Sequence, residues 1–122
     1  MIDLVIAVQE KYVHPDITSA YEKNIHDEDQ LLLSAAEKIG LSAKIVAWDD
    51  PSFDWSNTKA ILFREVWDYF KRYNEFMAWL KMVQTKTQLI NPAAIIEWNQ
   101  DKHYLADLAV LGIGIIPTQF IE

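Results

Sequence analysis

Apolar residues along the chain gather in short continuous runs, and amphipathic stretches separate these runs. Residues 4–8, 43–48 and 60–63 are almost entirely apolar, which is typical of parallel strands buried on both faces. A shorter run at residues 88–90 predicts a fourth strand, and residues 113–116 are a candidate for a fifth. The runs therefore predict a small parallel sheet.

A helical pattern follows the first strand after a long polar stretch. Residues 11–25 mix turn-forming and polar residues and predict a loop with at most one short helical turn. Asp27 is the predicted cap of a helix at residues 27–39, with Glu28 and Asp29 in a solvated first turn. Its predicted inward positions are Leu32, Ala35, Ala36 and Ile39, and Gly40 is its predicted end.

Two further helices are predicted in the second half of the chain. Asn74 is the predicted cap of the first, and Asn99 caps the second, at residues 100–111. The inward positions of the first of these helices are Phe76, Leu80 and Val83. A short helical segment is predicted between the two, at residues 93–98.

This alternation of strands and helices predicts an α/β fold. We expect a small parallel sheet with helices on both faces, joined by right-handed crossovers. The simplest strand order is 2-1-3-4, a Rossmann-like three-layer α/β/α arrangement with a switch point between the first and third strands. Because ligands bind beyond the carboxyl ends of strands in such sheets, Gln9, Arg64 and Asn91 are expected together on one functional rim.

Composition and charge narrow the classes of partner. With 122 residues, 51% of them hydrophobic, the chain has room for one domain with a core. A formal net charge of −7 argues against nucleic acid and anionic membrane as partners, because phosphate binding needs a basic surface. Cysteine is absent, the three histidines lack metal-ligand spacing, and the first apolar run is too short for a signal peptide or a membrane span. We therefore expect a cytoplasmic protein without a metal site of its own.

The segment after the third predicted strand carries the candidate chemistry. Arg64 follows four apolar residues at the expected rim. It is suited either to a two-pronged clamp on a substrate carboxylate or to an ion pair with Glu65 or Asp68 that fixes the loop. Trp67 and Tyr69 are expected to form walls of the site. Asp68 is expected to orient Arg64 or an amine substrate.

A second candidate lies near the end of the chain. With Asn99 as the cap, Lys102 occupies a first helical turn, where the helix dipole disfavours a cation. It also precedes Leu105 by three positions and so lies near the packed side. These two costs indicate an anion near Lys102, although a lysine that extends to Asp101 or to solvent is equally consistent with the sequence.

Two other functions known for this topology lack their sequence signatures. A response-regulator-like module needs paired acids after the first strand and an aspartate at the end of the third, but Gln9-Glu10 and Arg64 occupy these positions. A dinucleotide-binding module needs a glycine-rich turn after the first strand. The glycines lie elsewhere, at Gly40, Gly112 and Gly114.

Five segments of the sequence carry a family resemblance by their order and spacing. They are REVWDY at 64–69, NEFMAWL at 74–80, INPA at 90–93, WNQDKHYLADL at 98–108 and IPT at 116–118. Together they resemble the N-terminal part of ATP-grasp proteins of the glutathione synthetase and RimK-like type. The resemblance covers nearly the whole chain and is strongest from Trp48 onward. It departs from the family at Glu65, where a small hydroxyl residue is usual.

The resemblance implies a pre-ATP-grasp domain, the substrate-side module of an ATP-dependent carboxylate-amine ligase. In such enzymes ATP phosphorylates a carboxylate, and an amine attacks the resulting acyl phosphate. On this interpretation Arg64, Trp67, Asp68 and Tyr69 face the small carboxylate and amine substrates, Lys102 contacts nucleotide phosphate, and no residue of this chain is catalytic. ATP and magnesium are held mainly by the two domains that follow, so the chain alone is expected to bind neither and to be inactive.

The resemblance also implies a division of the chain. Residues 1–98 correspond to the pre-ATP-grasp domain, and residues 99–122 correspond to the beginning of the central ATP-grasp domain. Apolar residues between 112 and 122 would then lack their neighbours, so this segment is expected to form a homodimer contact or to be poorly ordered. The alternative function is a non-catalytic small-molecule-binding or dimerisation module with the same fold.

Overall fold

A parallel sheet of four strands organises the first part of the chain. The computed structural model describes residues 1–121 and places the strands in the order β2-β1-β3-β4. The strands are β1 (Ile2–Val8), β2 (Ala43–Ala47), β3 (Thr58–Phe63) and β4 (Gln88–Ile90). All neighbouring strands pair in parallel, which confirms the predicted order and the switch point between β1 and β3.

Helices and 3-10 turns connect the strands. The helices are α1 (Ala20–Lys38), α2 (Tyr73–Val83), α3 (Ala93–Gln100) and α4 (Tyr104–Val110). A first 3-10 turn (Glu10–Tyr12) follows β1, and a second (Trp55–Asn57) precedes β3. Among the described residues, no helix combines the length and the apolar character needed to cross a membrane.

The chain divides into two compact units, Met1–Asn91 and Pro92–Glu122. The sheet, α1 and α2 belong to the first unit, and α3 and α4 belong to the second. The division that the resemblance implies at residue 98 concerns family domains, and it stays a prediction. Glu122 lies outside the described residues, and the homodimer contact proposed for residues 112–122 also stays a prediction.

Helices α1 and α2 cover opposite faces of the sheet. Ile6 of β1 packs in a cluster with Ile25 of α1. The next residue, Ala7, is in register with Phe63, whose ring meets Trp79 of α2 at a centroid distance of 5.8 Å. Because successive side chains of a strand point to opposite faces, the first unit has the three-layer α/β/α arrangement that the sequence predicted.

Aromatic side chains fill the space between the sheet and α2. Trp79 is 8% exposed and lies at its centre. Its neighbours, at ring-centroid distances of 5.2–5.8 Å, are Trp48, Trp55, Phe63 and Phe76. The predicted inward positions of α2 (Phe76, Leu80 and Val83) are all buried, so the helical period identified this packed face correctly.

Helix α1 begins earlier than the sequence analysis predicted. It starts at Ala20, with Ser19 as the N-cap residue whose side chain accepts a hydrogen bond from the Glu22 amide. The predicted cap, Asp27, therefore lies inside the helix, and the predicted loop at residues 11–25 is shorter. Ser19 and Glu22 have the spacing of a capping box, a signal that the sequence analysis did not use.

The packed face of α1 also differs from the predicted one. Asp29, which was expected in a solvated first turn, is buried, whereas Ala35 and Ile39 are exposed instead of inward. Leu32 and Ala36 remain on the packed side as predicted. The buried aspartate is partnered by Arg64.

The second half of the chain departs from prediction at two caps and one strand. Arg72 rather than Asn74 is the N-cap residue of α2, and Asn99 lies inside α3 rather than at a cap. Within residues 1–121, the segment 113–116 forms no strand. Gly114 lies inside that segment, and glycine weakens a strand because it adds chain entropy and offers no side chain for packing.

Candidate functional site

Polar residues from three strand ends meet at one rim of the first unit. The Arg64 amide donates to the Ala7 carbonyl at 3.0 Å, and the Gln9 amide donates to the Glu65 carbonyl at 2.9 Å. These bonds continue the β1–β3 pairing beyond the strand ends. Asn91 follows the parallel strand β4 at the same end, with a positive φ of 66°. The predicted grouping of Gln9, Arg64 and Asn91 on one rim is therefore confirmed.

Arg64 is surrounded by carboxylates. Its Nε donates to Asp29 Oδ1 at 3.2 Å, and its Nη2 donates to Glu28 Oε2 at 3.0 Å. The same Nη2 lies 2.9 Å from Glu65 Oε1. Two of the carboxylates come from α1 and one follows β3, so the guanidinium joins this helix to the end of the central strand pair. The ion pair with Glu65 was one of the two roles that the sequence left open.

Two of these carboxylates are almost completely buried. Asp29 is 1% exposed and Glu65 is 4% exposed. Burial raises the pKa of both carboxyl groups, the Asp29 charge adds to the rise at Glu65, and Arg64 opposes the rise at both. Among the described residues, Asp29 Oδ2 and Glu65 Oε2 have no hydrogen-bond partner. Two buried acids therefore share one guanidinium.

A second network ties the loop after β2 to the segment after β3. Trp48 Nε1 donates to Asp68 Oδ1 at 3.1 Å, and Arg72 lies 3.5 Å from Asp68 Oδ2. Arg72 also binds Glu75 and Asp49, and these hydrogen bonds raise its pKa. Its guanidinium lies 4.8 Å from the Trp48 ring centroid. Asp68 thus bonds to Trp48 and Arg72, whereas the sequence analysis paired it with Arg64.

Trp67 is an exposed aromatic residue of the segment after β3. It is 46% exposed, and its ring meets Tyr12 edge-to-face at 5.5 Å and Tyr21 at 6.5 Å. Tyr69 packs against Phe76 at 5.7 Å. Of the two aromatic residues predicted as walls, Trp67 is therefore the one that presents a large open surface.

Two open clefts lie beside the loop that follows β2. The larger, about 630 Å³, runs between the first 3-10 turn, β2 and the loop that follows β2. Its ionisable lining residues are Glu10, His14, Lys44, Asp49 and Asp50. The smaller, about 420 Å³, lies between the loop after β2 and α2, over Trp48, Trp55 and Trp79. Both have the size of small-molecule sites, and Arg64 lines neither of them.

Lys102 lies in the second unit, in the turn between α3 and α4. Its ammonium nitrogen is 5.5 Å from the ring centroid of Tyr104. Because Asn99 is inside α3, the predicted position of Lys102 in a first helical turn is wrong, and the dipole argument for a nearby anion no longer holds. The phosphate contact that the family resemblance implies for Lys102 stays a prediction.

Sequence reasoning did not select Asp29 or Arg72 as members of the rim. A usable signal existed for Asp29, which lies four positions after Ile25 and three before Leu32 and so shares their face of α1. Arg72 gave no comparable signal. Its contacts with Trp48 and Asp49 join segments that are far apart in sequence, so only the fold brings them together.

The family of this chain follows from a comparison with known proteins. The profile described as "D-cycloserine synthetase DcsG, N-terminal domain" matches residues 5–91. The chain belongs to this family. The match with the DcsG N-terminal domain agrees with the predicted N-terminal domain of an ATP-grasp-type protein. The narrower assignment to the glutathione synthetase or RimK-like type stays a prediction.

Similar proteins include one sequence and one solved structure. The cycloserine biosynthesis protein DcsG of Streptomyces lavendulae is 37% identical over 105 residues, which are 86% of this chain and 35% of that protein. The crystal structure of D-cycloserine synthetase DcsG matches with a TM-score of 0.74 at 34% identity, over 93% of this chain and 35% of that one. The chain thus spans about a third of the length of these DcsG relatives.

Proposed function

We propose that this chain is the N-terminal, substrate-side domain of an ATP-dependent ligase that joins a carboxylate to an amine. The family match over residues 5–91 carries the proposal, since the related DcsG protein is named a synthetase. The position of the rim supports it, because α/β sheets bind ligands beyond the carboxyl ends of their strands at a switch point.

The contribution of this chain is to bind and orient a small molecule. ATP supplies the phosphoryl group that activates the carboxylate in a ligase of this class. We assign the open aromatic contact to Trp67, with Asp68 and Tyr69 as its neighbours on the same segment. The larger cleft carries three carboxylates, from Glu10, Asp49 and Asp50, against one lysine and one histidine, which favours a ligand with an amino group.

Arg64 is less available to a substrate than its position alone suggests. Its guanidinium already contacts Glu28, Asp29 and Glu65, so a substrate carboxylate would have to compete with three protein carboxylates. We therefore assign Arg64 to the support of the rim. The substrate clamp is the alternative that a mutation can test.

We propose that most of the nucleotide and magnesium site lies outside residues 1–121. In this described part of the chain, no group of three or more His, Asp or Glu side chains is placed to hold a metal ion. Lys102 is the one phosphate contact that we propose here, and it lies on an exposed turn. We assign the remaining nucleotide and magnesium contacts to domains that correspond to the rest of the DcsG relatives.

A chimera tests this proposal. In it, residues 1–121 replace the matching N-terminal part of Streptomyces lavendulae DcsG. We expect ATP turnover that depends on an added carboxylate and amine, and we expect Trp67→Ala to raise the KM for one of these substrates. The chain alone should release no phosphate from ATP. Magnesium-dependent ATP turnover that scales with the concentration of the chain alone would contradict the proposal, and small-molecule binding without turnover in a folded chimera would favour a non-catalytic module.

A further inference from the structure

The two buried carboxylates beside Arg64 have no part in the proposed ligase chemistry. One oxygen of each contacts the guanidinium, Asp29 Oδ1 at 3.2 Å and Glu65 Oε1 at 2.9 Å. The other oxygen of each is buried and has no hydrogen-bond partner among the described residues. A buried acceptor without a partner carries a desolvation cost, so this arrangement requires an explanation.

The charges that face the pair do not balance. Arg64 is the cation in contact with it, and Glu28 of α1 is a third carboxylate on the same guanidinium. His26, also on α1, lies close enough to influence Asp29. Lys11 of the first 3-10 turn is bound instead to Glu22, at 3.1 Å. With Glu28, Asp29 and Glu65 all ionised, three negative charges would therefore surround one positive charge.

A proton is the cation that fits this site. The unpartnered oxygens are buried, and a proton can bind a carboxylate oxygen without the space that a further ion would need. Two carboxyl groups that share a site resist double ionisation, because each charge disfavours the other. We propose that Asp29 and Glu65 together retain one proton at pH values where exposed carboxyl groups have lost theirs, and that this singly protonated pair, held by Arg64, joins helix α1 to the end of strand β3.

The proton makes folding depend on pH in a definite direction. Burial raises the pKa of both carboxyl groups, so the folded chain keeps a proton that the unfolded chain releases. The contribution of this proton to stability is fully present below the ordinary carboxyl pKa, and it is lost as the pH rises through the raised pKa of the pair. If the folded chain binds one proton more than the unfolded chain, the folding equilibrium constant changes by up to roughly tenfold for each pH unit. The negative charge of the rim increases over the same range.

A carboxyl titration by NMR tests the proposal on the unaltered chain. With ¹³C-labelled Asp and Glu, we expect one carboxyl signal of the pair to titrate at a clearly higher pH than the carboxyl groups of the urea-unfolded chain. Asp29→Asn should return the signal of Glu65 toward the ordinary range, since it removes the competing charge. If both carboxyl groups of the unaltered chain titrate with the exposed acids, the proposal is overturned.

A pair of matched variants tests its effect on folding. Glu65→Gln keeps the size of the side chain and removes its titration, whereas Glu28→Gln removes the exposed carboxylate on the same guanidinium. In urea unfolding, the free energy of unfolding of the unaltered chain should decline from about pH 5 to about pH 8. This decline should be flatter in the Glu65 variant and should persist in the Glu28 variant. The three histidines are present in every variant, so their contribution to the pH dependence is removed when each variant is compared with the unaltered chain. An equally steep decline in the Glu65 variant would refute the proposal, and if that variant does not fold, the NMR titration decides.

Discussion

Arg64 shows how the partners of a residue, rather than its position in a motif, decide what it can do. The sequence places it directly after a buried strand, where both a substrate clamp and a structural ion pair are reasonable. In the structure its guanidinium contacts three carboxylates. Two of these are buried, and removal of the shared cation would leave uncompensated buried charge.

Arg64→Lys tests the structural role. Lysine keeps the charge but has one compact donor group in place of the planar fork, so it cannot reach all the acceptors that Arg64 contacts. We expect the free energy of unfolding, measured with urea, to fall by about 1.5–3 kcal/mol, the range for hydrogen bonds to charged groups.

Two further measurements sharpen this test. Lys71→Arg changes an exposed basic residue of the same segment and should leave stability nearly unchanged. If Arg64 is instead a substrate clamp, Arg64→Lys in the DcsG chimera should raise the KM for the carboxylate substrate and leave the free energy of unfolding unaltered.

At the scale of elements, the two helices of the first unit differ in how well their patterns predict them. The apolar positions of α2 repeat at helical spacing, and the helix packs on the sheet as that spacing predicts. Helix α1 starts earlier than predicted, at its Ser19 cap, and its buried residues include a carboxylate, Asp29. The amphipathic pattern of α1 is therefore broken at the residue that binds Arg64.

Trp79→Ala tests the aromatic packing of α2. Trp79 meets four aromatic rings and is 8% exposed, so truncation leaves a large cavity that its neighbours cannot fill. We expect the free energy of unfolding to fall by about 3–5 kcal/mol. Met82→Ala, on the same helix at a position 37% exposed, is the control. A loss in the Trp79 variant no larger than in the Met82 variant would contradict the central role of this side chain.

At the scale of the whole molecule, the division into two units indicates that the first unit can fold independently. The sheet and both of its covering helices lie within Met1–Asn91, and the family match ends at residue 91. A domain with its own core should fold without the residues that follow it.

A shortened chain of residues 1–91 tests this independence. We expect cooperative thermal unfolding with a Tm within roughly 5 °C of the complete chain, which corresponds to a change of about 1 kcal/mol. A chain of residues 1–84, which lacks β4, is the control and should be clearly less stable. A molten or unfolded 1–91 chain would show that the second unit is needed for the first to fold.

The sequence by itself determined the strand order, the layering and the place of the rim. These features follow from patterns that are local along the chain, because continuous apolar runs predict buried strands and parallel strands align their carboxyl ends. The packed face of α2 follows for the same reason. The position of Arg64 beside Gln9 was thus available before the structure was known.

Only the tertiary structure decided the partners of the rim residues. Arg64 and Asp29 are 35 positions apart, and Trp48 and Asp68 are 20 apart, so no local pattern relates them. Asp29 lies on the packed face of α1 beside Ile25 and Leu32, but only the fold supplies Arg64 as its partner. Side-chain contacts between distant segments form only when packing brings their elements together, and for this reason the charge balance at Arg64 appears in the fold and not in the sequence.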